Sequence, residues 1–327
     1  MSILVTGSAG HLGEALMRTL RGQGQPVVGI DMKHSPYTDL VGDIADRDFV
    51  RTAMQGISSV IHTATLHKPH VATHSKQDFV DTNITGTLNL LEEAVIQEVS
   101  GFLFTSTTST FGAAMNPAKG EPAAWITEDV IPQPKNIYSV TKLAAESLCE
   151  LFYRKSGLPV LILRTSRFFP EDDDNAETRQ LYETPNVQAL ELLYRRVDIA
   201  DAVSAHLLAL EKAGTLGFGK YIISATTPFG QEHLAQLHTD AAAVVRSLYP
   251  GCGDLFEARG WKLFPEIDRV YVNAHARSEL GWQPQYDFAH VLSSLRNGTD
   301  FRSQLARDIG SKGYHDVEFE EGPFPVE

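Results

Sequence analysis

The sequence predicts an α/β fold: a Rossmann-like doubly wound parallel sheet with helices on both faces, followed by a smaller, less regular C-terminal lobe. Three observations support this prediction. Strand-like apolar runs alternate with helical patterns through the first half of the chain, the runs are almost continuously apolar, and a glycine-rich turn follows the first of them. Continuously apolar strands are typical of a parallel sheet whose two faces are both covered by helices.

The predicted elements alternate in a regular order. The apolar runs are ILVTG, PVVGID, SSVIHTA, GFLFTST and LPVLILR, and helices are expected at about residues 11–23, 46–55, 76–98 and 137–156. We therefore expect a Rossmann-like domain over residues 1–166. Residues 167–327 are expected to form mainly a second lobe, with segments around 195–225 returning to the core.

Composition and charge argue against several classes of protein. The 327 residues carry a formal net charge of −13, whereas a nucleic-acid-binding surface needs clustered Lys and Arg. No apolar run of the sequence reaches the roughly 18 residues that cross a membrane, and MSILVTG leads directly into the first strand. Cys149 and Cys252 have neither metal-ligand nor disulfide spacing. We expect a cytoplasmic protein with no nucleic-acid or membrane partner.

A glycine-rich turn closes the first predicted strand. TGSAGHLG places Gly7, Gly10 and Gly13 at GxxGxxG spacing, with His11 and Leu12 between the last two glycines, directly before a helix. Glycines let the backbone turn tightly and approach a pyrophosphate, which then lies at the positively polarised N-terminus of the helix. Three glycines alone are weak evidence, but the strand–turn–helix context is that of a dinucleotide site.

An acidic residue ends the second predicted strand. Asp31 follows the glycine turn by about 20 residues, where a carboxylate can bind the ribose hydroxyls of NAD and repel the 2′-phosphate of NADP. The alternative is an ordinary turn residue at the end of a strand. Lys33 and His34 follow closely, so NADP stays open as the second choice. NAD is the predicted cofactor.

Further short motifs stand at the ends of the predicted strands and on two helices. They are GDIAD at 42–46, HTAT at 62–65, NITGT at 83–87, TSTTSTFG at 105–112 and YSVTK at 138–142. Together with the glycine turn, they resemble the extended short-chain dehydrogenase/reductase family, in its NAD-dependent epimerase/dehydratase group. The resemblance implies that Asp43 and Ile44 contact the adenine and that Thr63 and Ala64 pass beneath the cofactor.

The resemblance also implies a catalytic set. Moving a hydride to or from a secondary alcohol needs a group that takes or gives the hydroxyl proton, and Tyr138 would be that group. A tyrosine is a poor base at its usual pKa of about 10. Lys142 lies one helical turn away and can lower that pKa. Lys142 can also hold the nicotinamide ribose, and the resemblance places both Tyr138 and Lys142 among the cofactor-binding residues. Thr107 would hydrogen-bond the substrate oxygen, with Thr108 as the fallback, and Asn83 would support a proton relay.

Two departures from the family pattern bear on the substrate. Thr107 is followed by Thr108 and Ser109, where the family's dehydratases carry an Asp–Glu pair, which argues against a dehydratase. Arg167 occupies the position of an asparagine that helps to hold sugar-nucleotides. A guanidinium suits a carboxylate or phosphate, so Arg167 suggests an acidic group on the substrate. The alternative is that Arg167 pairs with the acidic run at 171–174.

Four histidines lie close together in HTATLHKPHVATH: His62, His67, His70 and His74. Their spacing would suit a metal only if the segment folded back on itself, so no metal site is expected. The resemblance places this loop beside the active site, where His67, Lys68 and His70 would contact an anionic or polyhydroxylated substrate. A solvated loop is the alternative.

These expectations combine into one function with two rivals. We expect an NAD-dependent oxidoreductase acting on a hydroxyl of a sugar, sugar acid or similar polar substrate, with residues 1–166 binding NAD and the second lobe binding the substrate. The first rival is a nucleotide-sugar 4-epimerase, such as a UDP-sugar epimerase, with tightly held NAD. The second is a regulatory protein that senses NAD(P) without chemistry. The resemblance also implies a homodimer.

Overall fold

The computed structural model describes residues 2–313 and Phe319, and these residues form two compact units. The first unit contains the residues up to Thr110, Pro134–Thr165 and Ala202–Tyr221. The second contains Phe111–Gln133, Ser166–Asp201 and the described residues from Ile222 onward. Residues 111–133 therefore group with the second unit, although they lie within the first predicted domain, and residues 202–221 group with the first.

Seven strands form one sheet, with the order β3-β2-β1-β4-β5-β7-β8. They are β1 (Ser2–Thr6), β2 (Val27–Asp31), β3 (Leu40–Val41), β4 (Ile57–His62), β5 (Gly101–Thr107), β7 (Val160–Thr165) and β8 (Phe218–Ile223). Strand β1 pairs in parallel with β2 and β4, and β5 pairs in parallel with β4 and β7. The order reverses at β1, as in a doubly wound sheet, so the predicted Rossmann-like fold is confirmed.

Helices connect these strands. They are α1 (His11–Gly22), α2 (Arg47–Ala53), α3 (Lys76–Val80), α4 (Gly86–Ile96), α5 (Ile137–Ser156) and α8 (Ile199–Leu216). Helices α4 and α5 bury apolar residues against the sheet core, as expected for parallel strands that are apolar on both faces. Helix α5 begins where the Asn136 side chain accepts a hydrogen bond from Ser139 N and ends at Gly157, whose φ of 71° stops the helix.

The second unit has its own core. Its elements are the parallel strands β6 (Ala124–Ile126) and β9 (Arg269–Tyr271), and the helices α6 (Ala176–Leu181), α7 (Thr184–Glu191), α9 (Leu234–Leu248), α10 (Cys252–Glu257), α11 (Ala274–Glu279), α12 (Phe288–Arg296) and α13 (Gln304–Ile309). Phe256, Phe288 and Leu237 are among its buried residues. Within the described part of the chain, no helix is both long and apolar enough to span a membrane.

A buried ion-pair network lies at the end of α7. Glu191 is fully buried and pairs with Arg195 at 2.6 Å and with Arg196 at 2.7 Å. Burial raises the pKa of Glu191, but attraction to Arg195, Arg167 and Arg196 outweighs burial and lowers this pKa from 4.5 to about 2. Because the folded-state pKa is lowered, the carboxylate contributes stability that is present above pH 4.5 and is lost as the pH falls through about 2.

Replacing Glu191 by Gln should therefore destabilise the second unit. The substitution leaves the buried guanidinium of Arg196 without its carboxylate, while the half-buried Arg195 keeps its ion pair with Asp173 at 3.3 Å. The expected loss in the free energy of unfolding is about 3–5 kcal/mol at neutral pH. Urea unfolding followed by tryptophan fluorescence measures the loss. Glu257→Gln, at an exposed position on α10, is the control and should change little. Equal unfolding midpoints for the two variants would contradict the role of the network.

Candidate active site

The glycine turn has the backbone geometry that a dinucleotide needs. Gly7 adopts a φ of +70°, which favours glycine, and Gly10 N donates a 3.0 Å hydrogen bond to the Gly7 carbonyl. A Cβ added at Gly13 would stand 1.9 Å from that same carbonyl oxygen, so α1 packs directly onto the turn. Because none of the three glycines carries a side chain, a pyrophosphate could approach the backbone of this turn closely.

The first turn of α1 is suited to an anion. Gly10 is the N-cap residue, and it has no side chain that could hydrogen-bond the first turn. The helix is 12 residues long, so its N-terminus carries the positive end of a full helix dipole. His11 and Leu12 form this first turn and are buried. The residues present therefore fit the pyrophosphate of a dinucleotide.

Asp31 stands at the end of β2 and is held by the turn. Its Oδ2 accepts a 3.0 Å hydrogen bond from Ala9 N, and its Oδ1 accepts a 2.8 Å hydrogen bond from Lys33 N. A carboxylate oxygen can accept more than one hydrogen bond, so both oxygens can also accept from ribose hydroxyls. The side chain is half-buried, and this placement fits the predicted ribose contact.

The predicted segment beneath the cofactor lies against the glycine turn. Thr63 Oγ1 donates a 2.6 Å hydrogen bond to the Thr6 carbonyl, and Ala64 N donates a 3.0 Å hydrogen bond to Thr6 Oγ1. A Cβ added at Gly7 would stand 2.8 Å from Ala64 Cα. The ends of β1 and β4 are thereby fixed to each other at the turn, which brings two of the predicted cofactor segments together.

The predicted adenine pair lies beside the start of α4. Asp43 Oδ1 accepts a 2.8 Å hydrogen bond from Ala45 N, and Ile44 is buried. A Cβ added at Gly86 would stand 2.5 Å from Ile44 Cγ1, and the Asn89 side chain donates a 3.0 Å hydrogen bond to the Ile44 carbonyl. The glycine of the NITGT motif thus makes room for the loop that carries this pair.

Tyr138 and Thr107 meet at the carboxyl end of the sheet. Thr107 is the last residue of β5, and its Oγ1 accepts a 3.1 Å hydrogen bond from Ser109 N. Burial raises the pKa of Tyr138 from 10.0 to about 12, and a side-chain hydrogen bond with Thr107 lowers it in part, as a donor to the phenol oxygen does. The structure brings the predicted proton-transfer residue and the predicted substrate-orienting residue into contact.

Lys142 is buried on the same face of α5 as Tyr138 and is anchored to β5. Its Nζ donates a 2.7 Å hydrogen bond to the Thr105 carbonyl and lies 4.0 Å from the centre of the Phe104 ring. Burial, the largest cause, lowers the pKa of Lys142 from 10.5 to about 7. The ammonium is thus held at a defined place, but the protein interior weakens its hold on the proton.

These two pKa values bear on the predicted division of roles. Tyr138 ionises with a pKa of about 12 and Lys142 with a pKa of about 7, so the lysine loses its charge before the phenol ionises. A lysine lowers the pKa of a tyrosine only while the lysine is an ammonium. The predicted electrostatic role of Lys142 therefore depends on groups that help it to keep its proton.

The Asn83 side chain is fully used in hydrogen bonds. It lies in a π-helical turn, Asp81–Thr85, where its Oδ1 accepts from Leu66 N and Thr65 Oγ1 and its Nδ2 donates to the Leu66 carbonyl and to Thr141 Oγ1. π-helical turns are frequent at functional sites. Because both lone pairs and both N–H groups are engaged, Asn83 joins the loop after β4 to α5, and its side chain has no group left over for a relay.

The predicted substrate residues of the first unit lie on two segments. Thr108 is buried and begins a short 3₁₀-helix after β5. His67 caps the 3₁₀-helix Lys68–Ala72, which packs against α5, and its backbone N–H donates a 3.0 Å hydrogen bond to His70 Nδ1. Among residues 2–313 and Phe319, no group of three or more His, Cys, Asp or Glu side chains is arranged to hold a metal ion.

Arg167 lies in the second unit and is engaged in ion pairs. Its Nη1 stands 3.1 Å from Asp173 and 3.6 Å from Asp174, and its Nη2 donates a 3.0 Å hydrogen bond to the Asp172 carbonyl. This geometry supports the alternative that the sequence left open, in which the arginine pairs with the acidic run. A substrate carboxylate would have to compete with these acids.

A buried polar network next to Lys142 was not foreseen from the sequence. Glu146 Oε1 accepts hydrogen bonds from Ser106 Oγ at 2.6 Å and from Arg164 Nε at 3.0 Å, and Oε2 accepts from Arg164 Nη2 at 2.7 Å. The signal was present, because Tyr138, Lys142 and Glu146 follow one another at intervals of four residues. An apolar setting on a helix gave no reason to select Glu146.

Comparisons with known proteins bear on the family and the fold of the chain. A model described as the NAD dependent epimerase/dehydratase family matches residues 3–223. The dTDP-glucose 4,6-dehydratase of Streptomyces antibioticus is 27% identical over 325 residues, which cover 90% of this chain and 90% of that protein. A solved short-chain dehydrogenase/reductase superfamily protein from Agrobacterium tumefaciens with bound NAD is 23% identical, with a TM-score of 0.65, covering 94% of this chain and 99% of that one.

A second solved structure with this fold is that of an epimerase. The UDP-glucose 4-epimerase of Thermus thermophilus in complex with NAD is 22% identical, with a TM-score of 0.61, covering 91% of this chain and 100% of that one. The family match confirms the resemblance found in the sequence, and the solved structures share the fold. The relatives include a dehydratase and an epimerase, so the comparisons do not decide between these reactions. The argument against a dehydratase rests on Thr108 and Ser109.

Replacing Gly13 by Ala should disturb the turn and weaken dinucleotide binding. The added methyl group would meet the Gly7 carbonyl, and overpacking of this kind costs about 1–3 kcal/mol. Calorimetric titration with NAD and thermal unfolding measure the two effects. Gly22→Ala, in the same helix, is the control. Apart from its chain neighbours and the nearby helix backbone, no heavy atom of the described residues lies within 4 Å of the added Cβ, so the substitution should be neutral or stabilising. Equal NAD affinity in both variants would refute the proposed pyrophosphate site.

Proposed function

The chain belongs to the NAD dependent epimerase/dehydratase family, and we propose that it is an NAD-dependent oxidoreductase of the short-chain type. It would transfer a hydride to or from a secondary alcohol or ketone of a sugar, sugar acid or similar polar substrate. One observation carries the proposal: the Tyr138 and Thr107 side chains lie close enough to interact at the end of β5, and Lys142, one helical turn along α5, is anchored to the same strand. This is an arrangement for moving a hydroxyl proton.

The cofactor supplies the hydride acceptor or donor when it is bound. The glycine turn and the first turn of α1 would hold its pyrophosphate, and Asp31 would hold a ribose. We propose NAD rather than NADP, because the Asp31 carboxylate would repel the negatively charged 2′-phosphate of NADP. Lys33 N already donates to Asp31, so its backbone supports the carboxylate.

The protein's own groups would move one proton. In the oxidation direction, the Tyr138 oxygen takes the proton of the substrate hydroxyl, while the hydroxyl of Thr107 hydrogen-bonds to the reacting oxygens. Lys142, when charged, stabilises the phenolate that must exist before this step. In the reduction direction, the Tyr138 hydroxyl gives the proton back. Asn83 holds the loop after β4 against α5 and so keeps the site together.

The class of substrate follows from the loop after β4 more than from Arg167. His67, Lys68 and His70 are half-buried polar residues on a segment that packs against α5. Their side chains carry N–H groups of the kind that bind a polyhydroxylated or anionic ligand, and Arg167 is paired with acids. We therefore keep a sugar or sugar acid as the substrate class and place less weight on a carboxylate bound by Arg167.

A 4-epimerase is the second candidate, and the NAD-bound epimerase from Thermus thermophilus favours it. The same Tyr138 and Lys142 would serve an oxidation followed by a reduction on one sugar. The two enzymes differ in a simple readout, since an epimerase forms the new sugar without net NADH. A protein that only senses NAD(P) would not need a buried Tyr138–Thr107 pair, so we place it last.

Replacing Tyr138 by Phe should abolish the reaction and leave NAD binding intact. Removing a positioned general acid or base typically lowers the rate by about 10²- to 10⁴-fold. The measurement is NADH formation from a panel of neutral sugars, sugar acids and UDP-sugars, with sugar products analysed in parallel. Tyr153→Phe, on the same helix, is the control and should retain activity. A Tyr138→Phe variant as active as the wild type would exclude the proposed mechanism.

Replacing Asp31 by Asn should move the cofactor preference towards NADP. The change keeps the size of the side chain and removes the charge that would repel a 2′-phosphate. A relief of about 1.4 kcal/mol corresponds to a tenfold rise in the ratio of NADP to NAD affinity. Calorimetric titration with both cofactors measures the ratio, and Asp48→Asn, an exposed position on α2, should leave it unchanged. An unchanged ratio in Asp31→Asn would show that Asp31 does not face the ribose.

A further inference from the structure

A third polar residue follows Tyr138 and Lys142 on the same face of α5. Glu146 lies one helical turn beyond Lys142 and is fully buried. We propose that Glu146, held by Arg164 and Ser106, is a positioning residue of the active site: its carboxylate keeps Lys142 in the ammonium form and fixes the end of β5. The inference rests on the proposed function, because it concerns the same Tyr138–Lys142 site.

Both oxygens of Glu146 are held in place. Arg164 binds the carboxylate with two hydrogen bonds, from Nε to Oε1 at 3.0 Å and from Nη2 to Oε2 at 2.7 Å. The Ser106 hydroxyl donates a further 2.6 Å hydrogen bond to Oε1. The guanidinium and the carboxylate side chains are 3% and 1% exposed, so water does not compete for these bonds. The carboxylate therefore has one orientation.

The register of the sheet explains what this orientation fixes. Ser106 on β5 is paired with Arg164 on β7, and the next pair along the two strands is Thr107 with Thr165. Glu146 thus joins α5 to both strands one residue before Thr107. On the other side of Ser106, the Thr105 carbonyl receives the hydrogen bond of Lys142. The position of Thr107 relative to α5 is set at two adjacent points of β5.

Stability alone is a weak reason for such a pair. Burying two charges costs free energy that their attraction barely offsets, and well-packed apolar residues of the same volume often serve as well. The surrounding core of the first unit is apolar, with Phe102, Phe104 and Ile162 at the centre of the sheet. A charged pair in this setting can serve a function if a neighbouring group needs the fixed negative charge of its carboxylate.

Lys142 is that neighbouring group. Burial lowers the pKa of Lys142, while Cys149, if it were a thiolate, and Glu146 would raise it. Burial raises the pKa of the Cys149 thiol well above its usual value, so Cys149 is uncharged at neutral pH. From β4, burial and repulsion by Lys142 lower the pKa of His62, which is therefore neutral as well. Glu146 remains as the anion that stabilises the ammonium.

The charge on Lys142 decides whether it can act on Tyr138. Lys142 has a pKa of about 7 with Glu146 in place, so a lower value would leave it mostly neutral at physiological pH. Arg164, from β7, pairs with the carboxylate and offsets part of its charge. Glu146 is thereby the group that helps Lys142 to keep its proton, and a protonated Lys142 can lower the pKa of Tyr138.

The test replaces Glu146 by Gln in the full-length protein. The direct readout is a pH titration of Lys142 by ¹³C NMR of lysine-labelled protein without cofactor, with the signal assigned by its loss in Lys142→Met. We expect the pKa of Lys142 to fall by about one unit in Glu146→Gln. Glu146→Asp, which keeps the charge, should bring the pKa of Lys142 at least part of the way back to its wild-type value. Glu150→Gln removes a charge one turn further along α5, from the pair with Lys220, and should leave Lys142 unchanged.

A second readout separates this inference from the proposed function. Wild-type activity is measured as NADH or product formation with a substrate from the sugar panel, and we expect Glu146→Gln to lower kcat while KM changes little. A folded Glu146→Gln protein with an unchanged Lys142 titration would overturn the inference, whatever its activity. Absence of any activity in the wild type, with the Lys142 shift present, would count against the proposed function and leave the positioning role standing.

Discussion

The hydrogen bond from Lys142 Nζ to the Thr105 carbonyl is the contact on which the site depends. It fixes helix α5 to the end of β5, and it holds a cation inside an apolar core at 2% exposure. Because Tyr138 lies one turn before Lys142, the same bond places the phenol next to Thr107. The burial that gives this precision also weakens the charge of the lysine.

Further contacts in the first unit also hold helix α5 in place. The Asn83 side chain ties the loop after β4 to Thr141, the residue before Lys142. Glu146 ties the next turn of α5 to β5 and β7. The glycine turn follows β1 and Asp31 ends β2 in the same sheet. Because the carboxyl ends of parallel strands lie at one edge of a sheet, both are at the edge where β5 ends. The predicted cofactor-binding groups and the proposed proton-transfer groups thus share one edge of the sheet.

Much of this could be predicted from the sequence, and the reason is local. The apolar strands, the GxxGxxG turn and the four-residue spacing of Tyr138 and Lys142 are short-range patterns, and the sheet follows from them. Thr107 was selected by the family resemblance. The partners of Arg167 and the four hydrogen bonds of Asn83 depend on residues distant in the chain or on loop geometry. The grouping of residues 111–133 with the second unit also depends on long-range packing, which no periodicity encodes.

A crystal structure of the protein with NAD bound tests this site most directly. We expect the pyrophosphate at the Gly7–Gly13 turn, a ribose on Asp31, and the nicotinamide ribose within hydrogen-bond distance of Tyr138 and Lys142. Lys142 should keep its hydrogen bond to the Thr105 carbonyl or exchange it for the ribose without leaving the site. A cofactor bound away from the turn, or a nicotinamide directed away from Tyr138, would contradict the proposed site and its chemistry.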